Sequence, residues 1–304
     1  MRLIREQRTL CGSDYMEVDF LWISEQQHRT TARKKKELAS SLAQQGRNAA
    51  RAGRYFIQLI NANFGALGWH VTLTYDDECL PEDAEKAERD LANYIRRVRR
   101  WIKRQGWDPA ALRWISVTEG QDEDKAAGQK AVRWHHHVLV QLDGLERSER
   151  DKLRGALEDL WAGRFCGEVE SLGTVNADRL QPDRDGLAAL GAYLLKYPKR
   201  KKRWHQSQGL RKPQYPRPND TKWSAKKLAA ACTLEVDDAK AWESRYPGWR
   251  FLGAHPAWSE DRAEWRLYIR LYRQKKEDPP RRPPQKLARM ATKPKINAKL
   301  FRDL

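Results

Sequence analysis

His135 and His137 lie two apart in Trp134-His-His-His-Val-Leu-Val-Gln-Leu142, a run whose branched and aliphatic residues read as a strand. Alternate side chains of a strand share a face. The two imidazoles therefore converge, while His136 turns to the other side with Trp134, Val138 and Val140. The preceding apolar run, Trp114-Ile-Ser-Val-Thr118, is followed by Glu119, and a hairpin between the two runs would bring that carboxylate to the same spot. Two neutral imidazoles and one carboxylate leave coordination positions open for water and phosphate oxygens. Such a set suits Mg2+ or Mn2+ as a Lewis acid, and Zn2+ is also compatible with it. Taken singly, a His-x-His pair fits ordinary hydrogen bonding equally well, and Glu119 fits a salt bridge at a strand end.

A second candidate is Tyr193-Leu-Leu-Lys-Tyr197. On a short helix over Gly186 to Tyr197, the two tyrosines are i and i+4 on one face, with Lys196 on the adjoining edge. A phenol attacks phosphorus when a metal polarises the phosphate and a nearby cation favours the phenolate. The competing reading packs both rings into the core.

Around these residues the periodicity alternates between strand and helix. Trp69-His-Val-Thr-Leu-Thr-Tyr75 reads as a strand. Pro81 to Gln105 reads as a helix, acidic at its start and with Leu91, Ile95, Val98 and Ile102 on one face; Arg96, Arg97, Arg99, Arg100 and Lys103 fall late, where the helix dipole favours cations. Arg147 to Trp161 reads as a helix and Phe165 to Leu172 as a strand. The order predicts an α+β fold: a central, mainly antiparallel sheet with flanking helices and helical N- and C-terminal extensions. The expected divisions are a basic helical extension over 1–60, a catalytic domain over 61–213, a Trp-rich, partly helical region over 214–277 containing an element from Leu228 to Gln274 whose last third is helical, and a basic Pro-rich tail over 278–304.

With 59 Lys+Arg against 41 Asp+Glu, the 304-residue chain carries a formal charge of +18, which points to a polyanionic partner. Lys199, Arg200, Lys201, Lys202 and Arg203 are consecutive cations, and Trp204 follows, with Arg211 and Lys212 further on. Cations for phosphates and flat rings for unstacked bases suit single-stranded nucleic acid. The four cysteines show no C-x-x-C pair, against a zinc finger or disulfide scaffold and in keeping with a reducing, cytoplasmic setting. The charged start does not read as a secretory signal, no run is long enough to span a membrane, and no G-x-x-x-x-G-K-[ST] loop marks an ATP-driven motor.

Taken in order, Val71-Thr-Leu-Thr-Tyr75, Glu119 with His135-His-His137, and Tyr193-Leu-Leu-Lys-Tyr197 resemble the three motifs of rolling-circle replication initiators, the His-hydrophobe-His (HUH) endonucleases of plasmids and single-stranded DNA phages. The middle residue here is His136, where the family carries an aliphatic one. The resemblance implies an HUH, RNA-recognition-motif-like sheet with its metal site on one face under the tyrosine helix. It implies His135, His137 and Glu119 as metal ligands, Tyr193 as nucleophile, Lys196 as a cation at the phosphate, and Tyr197 in the place of a second tyrosine. The implied substrate is single-stranded or extruded origin DNA, nicked through a 5′-phosphotyrosine, with a host helicase and polymerase as partners. A related HUH transposase or mobilisation relaxase, and a non-catalytic nucleic-acid-binding module, remain the alternatives.

Overall fold

The structure, a computed structural model, describes residues 2–25, 42–120, 133–163, 171–183, 185–196 and 203–274. In chain order the elements are β1 (Arg2–Cys11), β2 (Tyr15–Ser24), α1 (Leu42–Asn63), β3 (Trp69–Tyr75), α2 (Ala84–Arg104), β4 (Arg113–Glu119), β5 (His135–Gln141), α3 (Arg147–Ala162), β6 (Gly173–Arg179), α4 (Ala188–Leu194), β7 (His205–Gln206), α5 (Ala225–Thr233), α6 (Ala239–Arg245), β8 (Trp249–Ser259) and β9 (Glu264–Arg273). They form two compact units. One falls within Met1–Ala62, Pro182–Ala189 and Arg211–Leu304, the other within Asn63–Gln181 and Leu190–Leu210.

The unit containing the histidines is built on a five-stranded antiparallel sheet of order β6-β3-β5-β4-β7. Strict alternation in β3 buries Trp69, Val71, Leu73 and Tyr75 on one face. Val138 and Val140 of β5 join them, and the resulting core is closed by α2 and α3. Helix α2 starts at Asp83, whose carboxylate accepts the Lys86 N–H at 2.7 Å, and it buries Leu91, Tyr94, Ile95, Val98 and Ile102 at helical spacing. Helix α3 starts in a reciprocal cap between Glu146 and Glu149 and stops at Gly163, whose φ of 68° is the left-handed conformation that glycine adopts without strain. With both helices on that face, His70, Thr72, His135 and His137 share the other.

The second unit holds an antiparallel sheet of order β1-β2-β9-β8. Val18, Phe20, Leu267 and Ile269 of this sheet pack with Leu228 of α5 and Trp242 of α6. Its other face carries a charged cluster. The fully buried Glu17 accepts from Arg54 Nε at 2.6 Å and Gln58 Nε2 at 2.5 Å, and Arg54 also clasps both Asp19 oxygens at 2.8 and 2.6 Å. Two carboxylates against one guanidinium are tolerable in a buried site only because each oxygen finds a donor of this kind.

The α+β class with antiparallel sheets is as expected; the ends of the chain differ. Residues 2–24 are a strand hairpin, not helix, and they pair with β9 near the other end of the chain, so the N-terminal extension and the Trp-rich region belong to one unit. The last third of the latter's Leu228–Gln274 element, expected as helix, is strand β9. Of the strand expected over 165–172, residues 165–170 lie outside the described residues, as do 26–41 and the tail; 171–172 are not strand, and β6 follows at 173–179. Cys11, Cys79 and Cys232 are free thiols. Among the described residues no helix is long and apolar enough to cross a membrane.

Candidate functional site

The hairpin of β4 and β5 places Glu119 directly across from His135, and Val117 across from His137. That register gathers the side chains: one ligand atom each from Glu119, His135 and His137 lies within 4.8 Å of the others. His135 Nε2 stands 3.5 Å from Glu119 Oε2, and the two histidine rings meet edge to face with centroids 4.9 Å apart.

Each imidazole is oriented through its other nitrogen. His135 Nδ1 lies 2.8 Å from the Arg133 carbonyl, which can only accept, so Nδ1 carries a proton and Nε2 is the nitrogen turned toward Glu119. His137 Nδ1 lies 3.1 Å from His70 Nε2 and 3.4 Å from Thr72 Oγ1, whereas His137 Nε2 is buried with no hydrogen-bond partner among the described residues. A buried imidazole nitrogen without a partner is costly unless a ligand takes its lone pair. Burial, reinforced by the neighbouring His70, His135 and His136, pulls the His137 pKa down to about 3, and burial pulls His70 down to about 4. Both rings are therefore neutral at neutral pH, the form that coordinates a metal. For His135 burial works in the same direction, but the hydrogen bonds to Glu119 and the Arg133 carbonyl override it and raise the pKa. The donor set, the orphaned nitrogen and the neutral His137 ring fit a divalent cation.

His136 goes the other way. It is fully buried beneath the sheet, with Nε2 2.9 Å from the Tyr75 hydroxyl and Nδ1 2.9 Å from Thr118 Oγ1. Tyr75 in turn reaches Asp90 at 3.4 Å, and Lys86 holds Asp90 at 2.6 and 2.7 Å. The ring also meets the edge of Trp161, centroids 5.7 Å apart. Both nitrogens are thus occupied, and His136 fills a core position.

Tyr193 lies near the end of α4, 41% exposed, and its ring packs edge-on to His137 with centroids 5.7 Å apart. The helix ends at Leu194, three residues short of the expected Tyr197. Pro198 supplies no N–H to the Leu194 carbonyl and disfavours helix at the residue before it. Lys196 is exposed in the turn that follows, its N–H bonding the Tyr193 carbonyl at 3.1 Å. Tyr197, Lys199, Arg200, Lys201 and Lys202 lie outside the described residues. Of the remaining cationic segment, Arg203 and Trp204 are part of the site-bearing unit, with the Trp204 indole N–H donating to Gln206 at 2.8 Å. Arg211 and Lys212 are exposed and belong to the other unit.

Sequence reasoning missed His70. The signal was present in Trp69-His-Val-Thr-Leu-Thr-Tyr75: period two puts His70 and Thr72 on the polar face, and pairing with β5 sets Thr72 opposite His137.

Residues 68–202 match a family of replication-associated proteins, the ORF2 family. That stretch includes Glu119, His135, His137 and Tyr193, and the match supports the resemblance to rolling-circle replication initiators. Comparison with curated proteins and with solved structures gives no match.

Proposed function

We propose that the chain is a metal-dependent single-stranded DNA endonuclease and strand-transferase that nicks a replication origin through a 5′-phosphotyrosine. The observation that supports this most is the contact between the Tyr193 ring and His137, in a triad whose His137 Nε2 is left without a protein partner among the described residues. Glu119, His135 and His137 would hold Mg2+ or Mn2+, which supplies Lewis-acid polarisation of the scissile phosphate.

In this reading the Tyr193 oxygen attacks phosphorus in line. A Tyr–O–P bond forms, the P–O3′ bond breaks, and the phenol proton is balanced by the one taken up by the departing 3′ oxygen. One phosphodiester is exchanged for another without water, so the step is reversible and a 3′ hydroxyl returning to the site rejoins the strand. Lys196 stabilises charge on the phosphate, and Tyr197 is the candidate for a second transfer. Lys199, Arg200, Lys201, Lys202, Arg203, Arg211 and Lys212 contact phosphates, and Trp204 stacks on a base. The released 3′ hydroxyl primes a host polymerase, with a host helicase separating the strands.

The test is incubation with a pool of single strands and Mn2+, followed by a denaturing gel. Wild type forms a covalent protein–DNA band and Tyr193→Phe forms none while still binding DNA. An undiminished band in Tyr193→Phe removes Tyr193 from its role, and binding without any cleavage by wild type favours the non-catalytic module.

A further inference from the structure

We propose that α2 carries a second DNA contact: its arginine face binds the phosphate backbone of duplex DNA without regard to base sequence. Helix α2 packs its apolar stripe under the sheet on the face opposite His135 and His137, so this surface is separate from the candidate metal site within the same unit. Its outer side forms a cleft of about 360 Å3 lined by Asn93, Arg96, Arg97, Arg99 and Arg100, with no carboxylate in the lining.

Two features of the cleft ask for an anion. Nε and Nη2 of Arg97 are buried and have no hydrogen-bond partner among the described residues. Buried N–H groups without an acceptor are unfavourable, and a small outward turn of the side chain onto a phosphate oxygen would satisfy them. The second feature is the spacing. Arg96 stands three and four residues from Arg99 and Arg100, so like charges face one another on the helix surface and weaken it. The helix runs to Arg104, so only Lys103 and Arg104 stand in the last turn that the dipole rewards, and Arg96, Arg97, Arg99 and Arg100, expected at that favoured end, come before it. The helix therefore carries repulsion that a polyanion relieves.

The form of the polyanion follows from what the cleft lacks. No aromatic ring lines it, so it offers no platform for unstacked bases. From Arg96 to Lys103 the cations cover about 10 Å of helix axis. Duplex DNA presents a negative charge about every 1.7 Å of its own axis, which sets several phosphates within reach.

The experiment compares wild type, the Arg96→Gln/Arg97→Gln/Arg100→Gln variant and the corresponding triple Arg→Lys variant. Each is titrated with a fluorescent blunt duplex of about 20 base pairs, and with one of its strands alone, over a range of salt. The glutamine variant should bind duplex at least about tenfold more weakly at about 100 mM salt, with the slope of log K against log salt shallower by about 2 to 3. Its binding of the single strand should change less than about threefold, and its melting temperature should be unchanged or higher because the repulsion is gone. The lysine variant should keep duplex affinity within about threefold, since phosphate neutralisation needs charge above all. Unchanged duplex affinity and slope in the glutamine variant, equal loss on the single strand, or loss of duplex binding in the lysine variant would each overturn the proposal. No cleavage is measured, so failure of the Tyr193 reading and failure of this one are seen separately.

Discussion

Each imidazole of the pair is held by the protein through Nδ1, which makes Nε2 its candidate ligand atom. This division of labour separates the three consecutive histidines, which are chemically identical in the sequence. His135→Ala and His137→Ala should each abolish Mn2+ binding measured by calorimetry. His136→Ala should retain that binding and instead lower stability in urea by about 2–4 kcal/mol, the cost of emptying a core site and orphaning Tyr75 and Thr118. Equal loss of Mn2+ binding in all three variants would show that the strand is read in the wrong register. His70 touches no ligand position but fixes the His137 ring, and His70→Ala should weaken Mn2+ binding by about 10–100-fold, as loss of a supporting hydrogen bond does elsewhere. The Glu119–His135–His137 convergence was legible because period two is rigid in a strand. The His70 contact was not, since it depends on which strand lies beside β5.

At the scale of elements, the β4–β5 hairpin is the part that positions the triad, and Gly120 is its tightest point. A Cβ there would fall 1.9 Å from Trp134, the residue before His135, while Gly120 itself follows Glu119. Gly120→Ala must push Trp134 aside. It should cost about 1–3 kcal/mol by overpacking and weaken Mn2+ binding at the same time; a loss of stability with Mn2+ affinity intact would show that the triad does not depend on this packing. Strands β3, β4 and β5 were readable because one face is apolar and the other polar. Strand β9 was not, and the reason is physical. In Glu-Trp-Arg-Leu-Tyr-Ile-Arg-Leu-Tyr-Arg, residues 265, 267, 269 and 271 satisfy a strand, but 265, 268, 269 and 272 satisfy a helix. Tyr268 is buried beside Arg54, whose guanidinium lies 4.1 Å from its ring centroid, so both faces of the strand are covered and clean alternation is lost.

For the molecule as a whole, the first strand shows why local pattern under-determines the fold. Arg-Leu-Ile-Arg-Glu-Gln-Arg-Thr-Leu-Cys looks like charged surface, yet Glu6 is 1% exposed. It is satisfied by the Trp223 indole at 2.9 Å, by Arg8 at 2.9 and 3.0 Å, and by Lys222 at a greater distance. Trp223 stands 217 residues further along the chain, with Lys222 beside it, beyond any sequence window. Burial alone would raise the Glu6 pKa, but the hydrogen bonds from Trp223 and Arg8 and the two nearby cations hold it below its usual 4.5. Because the folded value is depressed, the carboxylate contributes stability above about pH 4.5 and loses it as pH falls through the lowered folded value. Glu6→Gln should therefore be less stable than wild type at neutral pH, by about 1–3 kcal/mol, with the gap closing in melts below about pH 4; a gap that widens in acid would contradict the assignment.

The most direct measurement for the molecule is to find the residue that carries the DNA. Trypsin cuts after Lys196, so Tyr193 and Tyr197 fall on different peptides and mass spectrometry can tell them apart after reaction with single strands, Mn2+ and nuclease trimming. Nucleotide mass on the peptide containing Tyr193 is the expected result, and it should vanish in His137→Ala. Nucleotide mass on any other peptide alone, or DNA cut with no nucleotide left on the protein, would contradict a phenol poised beside His137.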